Sequence, residues 1–336
     1  MKICVLGAGT WGTALAALLA RGEHEVTLWS AIPRELEALK STGAHPNLPD
    51  AQIPDSIIYE KDISVAIPGH ELILFVVPSK FIRATAALVA PYLDDGTILV
   101  SAAKGLEEGT LGSMTDLIED EVRKNRPDIS YKVAALSGPT HAEEVAKGLV
   151  TSIVAACEDE QISMSIAEAF SSSCMRVYTN TDVRGVELAG ALKNIVAMAA
   201  GILRGMGLGD NALAMLMTRG AAEITRVGVA LGCKRRTFMG LAGIGDLIVT
   251  CTSRHSRNNR CGELIGRGMT YEDAAKEIGM VVEGYYALGA AMELCGKYNV
   301  EMPITEAVYD IIFKGITPRE AMIRLMSRDL KDETID

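Results

Sequence analysis

The hydrophobic positions of this chain change their spacing near residue 180. Before that point, short runs of β-branched and other apolar residues alternate with segments of helical periodicity. Continuous apolar runs separated by helices are typical of a parallel sheet that helices cover on both faces. The runs that predict strands are 2–6, 25–29, 71–77, 97–102, 132–136, 151–157 and 175–179. We therefore predict an α/β fold with a doubly wound parallel sheet in the first half.

The second half carries no comparable strand pattern. Its apolar residues recur at helical spacing over long segments, which predicts a mostly α-helical domain. These segments are 181–204, 209–231, 283–297 and 303–314. We place the boundary between two domains, 1–180 and 181–336, near the point where the spacing changes.

Composition narrows the class of protein. The 336 residues are 49% hydrophobic and 23% charged, which is the balance of a soluble globular protein. The 43 acidic residues outnumber the 33 basic ones, and the net charge of −10 argues against nucleic acid or an anionic membrane as a partner. An anionic metabolite would need a local basic pocket.

Targeting and metal signals are weak. The first apolar run meets a glycine at residue 7, and no later stretch has the roughly 18 uninterrupted apolar residues of a membrane span. The seven cysteines form no CxxC pair and the five histidines lack ligand spacing. We expect reduced thiols, no metal and a cytoplasmic location.

A glycine-rich turn, GAGTWG at 7–12, follows the first strand and leads into a helix. Gly7 permits a tight turn, Gly9 lets a pyrophosphate approach the backbone, and Gly12 permits close packing of the helix on the strand. The free N–H groups of the helix N-terminus would face the phosphates. The alternative is a structural turn, but this context predicts a Rossmann domain that binds a nicotinamide dinucleotide.

The choice between NAD and NADP stays open. An acidic residue at the end of the second strand would hold the ribose of NAD. This chain has Ser30, Ala31 and Ile32 there, and Arg34 is near enough in sequence to approach a 2′-phosphate.

The residues just after each strand of such a sheet are expected to face the ligand. Lys104 follows the fourth main strand and would point toward the cofactor, unless it is an ordinary loop lysine. The backbone near Thr140 opens a helix and would bind an anion or a polar part of the cofactor. His141 is a candidate acid, although a histidine beside a glycine-rich turn often only bonds the backbone.

Lys193 lies in the middle of an apolar helical segment, 185–202. An unpaired buried charge is costly, so the lysine indicates chemistry, or else a salt bridge to another segment. Asp246 is surrounded by glycines, and a later loop presents Ser256, Arg257 and Asn258, whose donors suit a phosphate dianion. The neighbours of Lys193 on its own helix include no acid: Ala189, Gly190, Val196 and Ala197.

Nine stretches in order carry a resemblance to a known family. They are GAGTWG, SAAKGLE, LSGPTHAEEVA, ELAGALKNIVAMAAG, GLGDNALA, FMGLAGIGDLIVTCTS, SRNN, VVEGY and EMPITEAVY. With these the chain resembles the bacterial-type NAD(P)-dependent glycerol-3-phosphate dehydrogenases nearly end to end. The resemblance implies reversible hydride transfer from NAD(P)H to dihydroxyacetone phosphate, which gives sn-glycerol 3-phosphate for glycerophospholipid synthesis. It also implies a homodimer.

The resemblance also implies roles for individual residues. Lys193 would be the proton donor and acceptor, and the catalytic set would be completed by Lys104, Asn194, Asp246 and Thr250. The substrate would contact Lys104, Gly138, Thr140, Lys193, Asp246, Ser256, Arg257 and Asn258. The cofactor would contact Gly7, Gly9, Thr10, Trp11, Gly12, Arg34, Lys104, Ala142, Arg257, Val281 and Glu283.

Three departures and two alternatives accompany the resemblance. Thr10 replaces a commoner serine, His141 stands where an aromatic is frequent, and Ala31 and Ile32 replace basic residues. The last change puts a preference for NADPH in doubt. The alternatives are a related dehydrogenase of a 3-hydroxy acid or sugar acid, and a dinucleotide-sensing regulator without turnover.

Overall fold

The apolar runs of the first half form one sheet of eight strands in the computed structural model, which describes residues 1–330, 332 and 333. The seven predicted strands are all present. The eighth, at Ile58–Glu60, has only three residues and lies at the sheet edge, so it has no buried run to announce it. The strands are β1 (Lys2–Leu6), β2 (Glu25–Trp29), β3 (Ile58–Glu60), β4 (Leu72–Phe75), β5 (Thr97–Ser101), β6 (Tyr131–Ser137), β7 (Thr151–Ala156) and β8 (Met175–Asn180).

The strand order is β3-β2-β1-β4-β5-β6-β7-β8. The first strand lies inside the sheet, with β2 on one side and β4 on the other, both parallel to it. The chain therefore builds outward in both directions from β1. The carboxyl ends of β1 and β4 form the point where the order reverses, and ligands of such sheets bind there.

One pairing corrects the prediction of a parallel sheet. Strands β6 and β7 are antiparallel, whereas the other six pairings are parallel. The helix between them, Ala142–Ala146, rises only about 7.5 Å, while the seven-residue β6 spans about 23 Å. The connection stays near the carboxyl end of β6, and β7 runs back from there.

The chain divides into two compact units. The first contains residues 1–104 and 112–183, and the second contains 105–111 together with the residues from 184 onward. The sequence predicted a single boundary near residue 180 and did not indicate that 105–111 group with the later unit. The helices of the first unit are α1 (Thr10–Arg21), α2 (Pro33–Thr42), α3 (Ile63–Ala66), α4 (Ile82–Val89), α5 (Met114–Asn125), α6 (Ala142–Ala146) and α7 (Glu160–Phe170).

Helices are the regular elements of the second unit among its described residues, and the four predicted helical segments are confirmed. Lys331 and residues 334–336 of the predicted second domain lie outside the described residues. The helices are α8 (Val183–Gly205), α9 (Asp210–Ala230), α10 (Arg235–Phe238), α11 (Asp246–Thr252), α12 (Arg257–Gly266), α13 (Tyr271–Ile278), α14 (Glu283–Tyr298), α15 (Pro303–Lys314) and α16 (Pro318–Met326).

Helix α8 is the central element of this unit. Its 23 residues are long and apolar enough to cross a membrane by length and composition, but 94% of its apolar window is buried inside the protein. Such burial is what a core helix of a globular unit shows. Lys193 is therefore surrounded by packed side chains on α8 rather than by solvent.

Candidate active site

The turn after β1 has the geometry that its glycines predict. Gly7 has φ of +119° and its N–H donates to the carbonyl of Trp29 over 2.8 Å. A Cβ atom at Gly7 would lie 2.9 Å from the carbonyl oxygen of Val76, and one at Gly12 only 1.9 Å from the carbonyl oxygen of Gly7. Any larger side chain at Gly7 or Gly12 would force the turn and the helix α1 apart.

The same turn fits the phosphates of a dinucleotide. Among the described residues, no atom would lie within 4 Å of a Cβ at Gly9, so its backbone is open to a ligand. Gly9 caps α1 without a side-chain hydrogen bond, which leaves N–H groups of the first turn available. The hydroxyl of Thr10 is buried and has no hydrogen-bond partner in the described structure. Trp11 is half-buried against the core of the first unit.

Lys104, Gly138 and Thr140 meet beyond the carboxyl ends of β5 and β6. The Lys104 ammonium donates to the carbonyl oxygen of Gly138 over 3.2 Å, and the Thr140 hydroxyl donates to the same oxygen over 3.2 Å. His141 and Ala142 follow, as the residue before α6 and its first residue. The structure thus brings three predicted substrate residues together, while Arg34 lies exposed on α2.

The acidic partner of Lys193 comes from another helix. The Lys193 ammonium lies 2.8 Å from Oδ1 of Asp246, the first residue of α11, and donates to the Thr250 hydroxyl over 2.5 Å. Lys193 is 5% exposed and Asp246 is 1% exposed. The two opposite charges compensate each other, which is the condition for burying them at all.

Thr250 links both charged groups. Its hydroxyl donates to the backbone carbonyl of Asp246 over 2.6 Å, one helical turn earlier, so its oxygen is left to accept from Lys193. Burial raises the pKa of the neighbouring Cys251 thiol to about 12, against the opposing effect of Lys193. The thiol is therefore neutral near pH 7 and adds no charge to the cluster.

The glycines before Asp246 explain its position. A π-helical turn, Leu241–Gly245, precedes α11. A Cβ atom at Gly243 would lie 2.0 Å from the carbonyl oxygen of Phe238, so only glycine permits this close approach. The turn delivers Asp246 as the first residue of α11, buried against α8.

A second polar chain starts from the residue beside Lys193. The Asn258 side-chain amide donates to Oδ1 of Asn194 over 2.9 Å, and the Gly284 N–H donates to Oδ1 of Asn258 over 2.9 Å. Val281 and Glu283, both half-buried, flank the start of α14 beside Gly284. Asn258 thus connects three helices: α8, α12 and α14.

The predicted phosphate loop lies at the start of α12. The Ser256 hydroxyl accepts from the Asn259 N–H over 3.2 Å and so caps the helix. Arg257, the first residue of α12, is half-buried. The guanidinium therefore stands at a helix N-terminus, where the N–H groups of the first turn also favour an anion.

Sequence reasoning missed Asn259, which is fully buried. Its side-chain amide donates to the Cys251 carbonyl over 2.8 Å, and its Oδ1 accepts from Arg204 over 2.8 Å. It ties the end of α11 to α12 and α8. The only signal was its place in the SRNN stretch. No group of three or more His, Cys, Asp or Glu suited to a metal ion is found in the part of the chain that the structure describes.

Comparisons with protein families give consistent matches. Residues 2–163 match the family described as NAD-dependent glycerol-3-phosphate dehydrogenase N-terminus. Residues 182–323 match the corresponding C-terminus family. A glycerol-3-phosphate dehydrogenase [NAD(P)+] of Lactobacillus delbrueckii is 52% identical over 332 residues, covering 99% of this chain and 98% of that protein.

Solved structures agree with these matches. The crystal structure of a glycerol-3-phosphate dehydrogenase from Coxiella burnetii is 36% identical, with a TM-score of 0.91, and covers 97% of this chain and 99% of its own. A D-mandelate dehydrogenase structure is 16% identical with a TM-score of 0.63, covering 98% of this chain and 100% of its own. That second likeness shows the fold alone.

Proposed function

The chain belongs to the NAD-dependent glycerol-3-phosphate dehydrogenase family, and on that premise we propose that it transfers a hydride between NAD(P)H and dihydroxyacetone phosphate. The product is sn-glycerol 3-phosphate. The observation that carries the proposal is the buried cluster in which Asp246 and Thr250 hold the Lys193 ammonium.

The glycine turn would hold the dinucleotide. The open backbone at Gly9, the free N–H groups at the start of α1 and the partnerless Thr10 hydroxyl supply donors for its phosphates. Trp11, Arg34, Lys104, Ala142, Arg257, Val281 and Glu283 are the further residues that we assign to it. When bound, the nicotinamide supplies the hydride that reduces the ketone carbon.

Lys193 would supply the proton. As the ketone carbon of the substrate is reduced, negative charge develops on its oxygen, and a preorganised ammonium stabilises that charge and donates a proton from Nζ. Asp246 pairs with the ammonium and orients it, and Thr250 accepts a further hydrogen bond from it. In the reverse reaction the neutral amine would take the alcohol proton.

The substrate phosphate would bind at the start of α12. Ser256, Arg257 and Asn258 present a hydroxyl, a guanidinium and an amide at consecutive positions. Asn258 is already fixed by its bond to Asn194, next to Lys193. Lys104, Gly138 and Thr140 complete the proposed set of substrate contacts.

The decisive assay follows nicotinamide absorbance after dihydroxyacetone phosphate is added to the protein and NADH or NADPH. We expect absorbance to fall with this substrate and to stay constant with unphosphorylated keto acids. A preference for an unphosphorylated keto acid would favour the hydroxy acid dehydrogenase alternative. Dinucleotide binding without any turnover would favour a sensing regulator.

The same assay tests Lys193. We expect Lys193→Met to lower kcat at least about a thousandfold, within the range for loss of a general acid, while NADH still binds. Lys276→Met removes an exposed lysine of α13 and should leave kcat unchanged. Because Lys193→Met leaves Asp246 buried without its cation, the double variant Lys193→Met/Asp246→Leu serves as a second, uncharged test. Wild-type turnover in Lys193→Met or in the double variant would contradict the assignment.

We further propose that the protein works as a homodimer in the cytoplasm, without a nucleic acid or membrane partner, and supplies glycerol phosphate for glycerophospholipids. The net charge of −10 supports the absence of polyanionic partners. Light scattering on the purified protein would give a mass of about 72 kDa for a dimer of this 35.9 kDa chain. A mass near that of one chain would exclude the dimer.

A further inference from the structure

A carboxylate from α2 lies beside the end of β2, a contact that the sequence pattern did not reveal. Ser30 follows the strand and is 4% exposed. Its hydroxyl donates to Oε2 of Glu35 over 2.7 Å and accepts from the Ile32 N–H over 3.1 Å. Glu35 lies in the first turn of α2, so its carboxylate is turned back toward the strand end.

This carboxylate is close to the glycine turn. The Gly7 N–H donates to the carbonyl oxygen of Trp29, the last residue of β2, over 2.8 Å, so the strand end lies beside the turn. Burial lowers the pKa of His45, and the nearby Glu35 carboxylate partly opposes that effect. The Glu35 carboxylate is therefore near enough to His45 to affect its pKa, and Ser30, which holds that carboxylate, directly follows Trp29 beside the turn.

In sheets of this kind, the ribose next to adenine lies beyond the second strand, where an acidic residue bonds its hydroxyls. We propose that Glu35 takes this place, and that the chain consequently prefers NAD(H) to NADP(H). The inference rests on the proposed function, because it concerns the dinucleotide of that reaction. It answers a question that the residues at the strand end, Ser30 to Ile32, leave open.

The geometry leaves one oxygen of Glu35 able to accept a hydrogen bond from a ribose hydroxyl. An ionised carboxylate accepts at both oxygens, and Oε1 accepts no hydrogen bond from the described residues. Ser30 holds Oε2 and so fixes the direction of the group. A ribose 2′-hydroxyl can donate to such a carboxylate, whereas a 2′-phosphate can only repel it.

Arg34 is the competing influence. It precedes Glu35 on α2, and its positive charge would favour a 2′-phosphate. Arg34 is exposed, however, so water and salt screen its charge and its long side chain must be ordered on binding. Glu35 is half-buried and already anchored, which makes the carboxylate the stronger determinant.

Direct binding of NADH and NADPH tests the inference without turnover. Titrations of the purified protein, followed by fluorescence or calorimetry, give a Kd for each dinucleotide. We expect NADH to bind about tenfold to a hundredfold more tightly than NADPH, the range for a hydrogen bond to a charged group. Glu35→Gln keeps the shape but removes the charge, and should reduce this ratio at least about fivefold, mainly through tighter NADPH binding.

Glu37→Gln is the matched control, because it removes the same charge from an exposed position two residues along α2. It should leave the ratio unchanged. Ser30→Ala releases the Glu35 carboxylate without removing it and should reduce the ratio by a smaller factor, which provides a second variant if Glu35→Gln folds poorly.

The outcomes separate this inference from the proposed function. Equal affinity for NADH and NADPH in the wild-type protein, or an equal ratio in Glu35→Gln and Glu37→Gln, would overturn the role of Glu35 while the dehydrogenase assignment stands. Failure to bind either dinucleotide would overturn both. A ratio that falls in Glu35→Gln, falls by less in Ser30→Ala and does not change in Glu37→Gln would support the role.

Discussion

Thr250 is the smallest member of the Lys193 cluster, and its hydroxyl is its only chemical contribution. It accepts a hydrogen bond from the Lys193 ammonium while donating to the Asp246 carbonyl. Thr250→Val has the same shape without the hydroxyl, and Thr250→Ser keeps it. We expect kcat to fall about tenfold to a hundredfold in the valine variant, since a hydrogen bond to a charged group contributes roughly 1.5–3 kcal/mol.

Steady-state kinetics with dihydroxyacetone phosphate check this prediction. The serine variant should retain a kcat close to that of the wild-type protein, and the Kd for NADH should be the same in all three proteins. If the valine and serine variants turn over equally fast, the hydroxyl has no part in orienting Lys193.

Glu223 is a buried acid on α9. Its carboxylate accepts from the Ile304 N–H over 2.7 Å and from the Thr305 N–H over 3.3 Å, at the start of α15. Burial raises its pKa from 4.5 to about 7, opposed by these two bonds and by Arg226, while Glu306 acts in the same direction as burial. In the folded protein the Glu223 carboxyl group is therefore mostly protonated below about pH 7.

The sign of the pH dependence follows from that shift. Because the pKa of the folded state is the higher one, Glu223 contributes its full stability below about pH 4.5 and loses it as the pH rises through about 7. Glu223→Gln is neutral at every pH. Relative to the wild-type protein, its free energy of unfolding should rise by up to about 1.4 kcal/mol for each pH unit in that window.

Urea unfolding of both proteins at several pH values gives this difference directly. Glu277→Gln, at an exposed position of α13, should track the wild-type protein at every pH. A difference between Glu223→Gln and the wild-type protein that does not change with pH would show that folding does not raise the pKa of Glu223.

At the scale of elements, helices α8 and α12 cross at backbone contact. A Cβ atom at Gly262 would lie 2.0 Å from the carbonyl oxygen of Met198, and one at Gly201 only 1.9 Å from that of Asn259. Gly205 and Gly266 make equally close approaches one turn further on. This crossing places the residues of α12 that we assign to the phosphate against the helix that carries Lys193.

Gly262→Ala should therefore destabilise the protein by at least about 2 kcal/mol, because the two backbones must separate. Gly296→Ala is the matched control in α14, where a Cβ would meet no described atom within 4 Å. It should stabilise the protein by about 0.5–1 kcal/mol through helix propensity. Chemical denaturation measures both, and equal midpoints would contradict the close crossing.

The elements themselves were largely predictable, and the exceptions have physical causes. In a buried strand or helix, the apolar residues recur with the spacing of that element. Seven strands and the four long helices could therefore be located from the chain. Strand β3 was missed because an exposed edge strand of three residues carries no such period. The direction of β7 depends on the reach of α6 rather than on any residue of β7.

At the scale of the whole molecule, the reactivity of the seven cysteines tests whether the interior of each unit stays closed in the native protein. None of the seven forms a disulfide in the described structure, and five are buried. Burial raises the pKa of Cys261 and of the half-buried Cys295 to about 11, and that of Cys4 and Cys157 above the usual thiol value. Cys174 and Cys295 are the two thiols that are not buried, and we expect Cys174 to react first.

An aromatic disulfide reagent at about pH 8 should label one thiol rapidly in the native protein, because the thiolate is the reactive form. All seven should react once the protein is unfolded in guanidinium. Cys174→Ser should abolish the rapid phase, with Cys295→Ser as the comparison variant. Rapid labelling of several thiols in the native state would show that the units open readily.

The residues of the candidate site could be named from the chain, and the resemblance groups Asp246 and Thr250 with Lys193, but the geometry of their contacts could not be predicted. Each of the sequence signals is contained in a short stretch of the chain, so it can be recognised without knowing the fold. These signals are the glycine spacing after a strand, the lysine in an apolar helix and the SRNN stretch. Thr250, 57 residues away, accepts a hydrogen bond from Lys193, and Glu35 turns back to Ser30; both contacts follow from how α11 and α2 pack. Sequence period reports which face of an element is buried; only the packing of distant elements decides what that face meets.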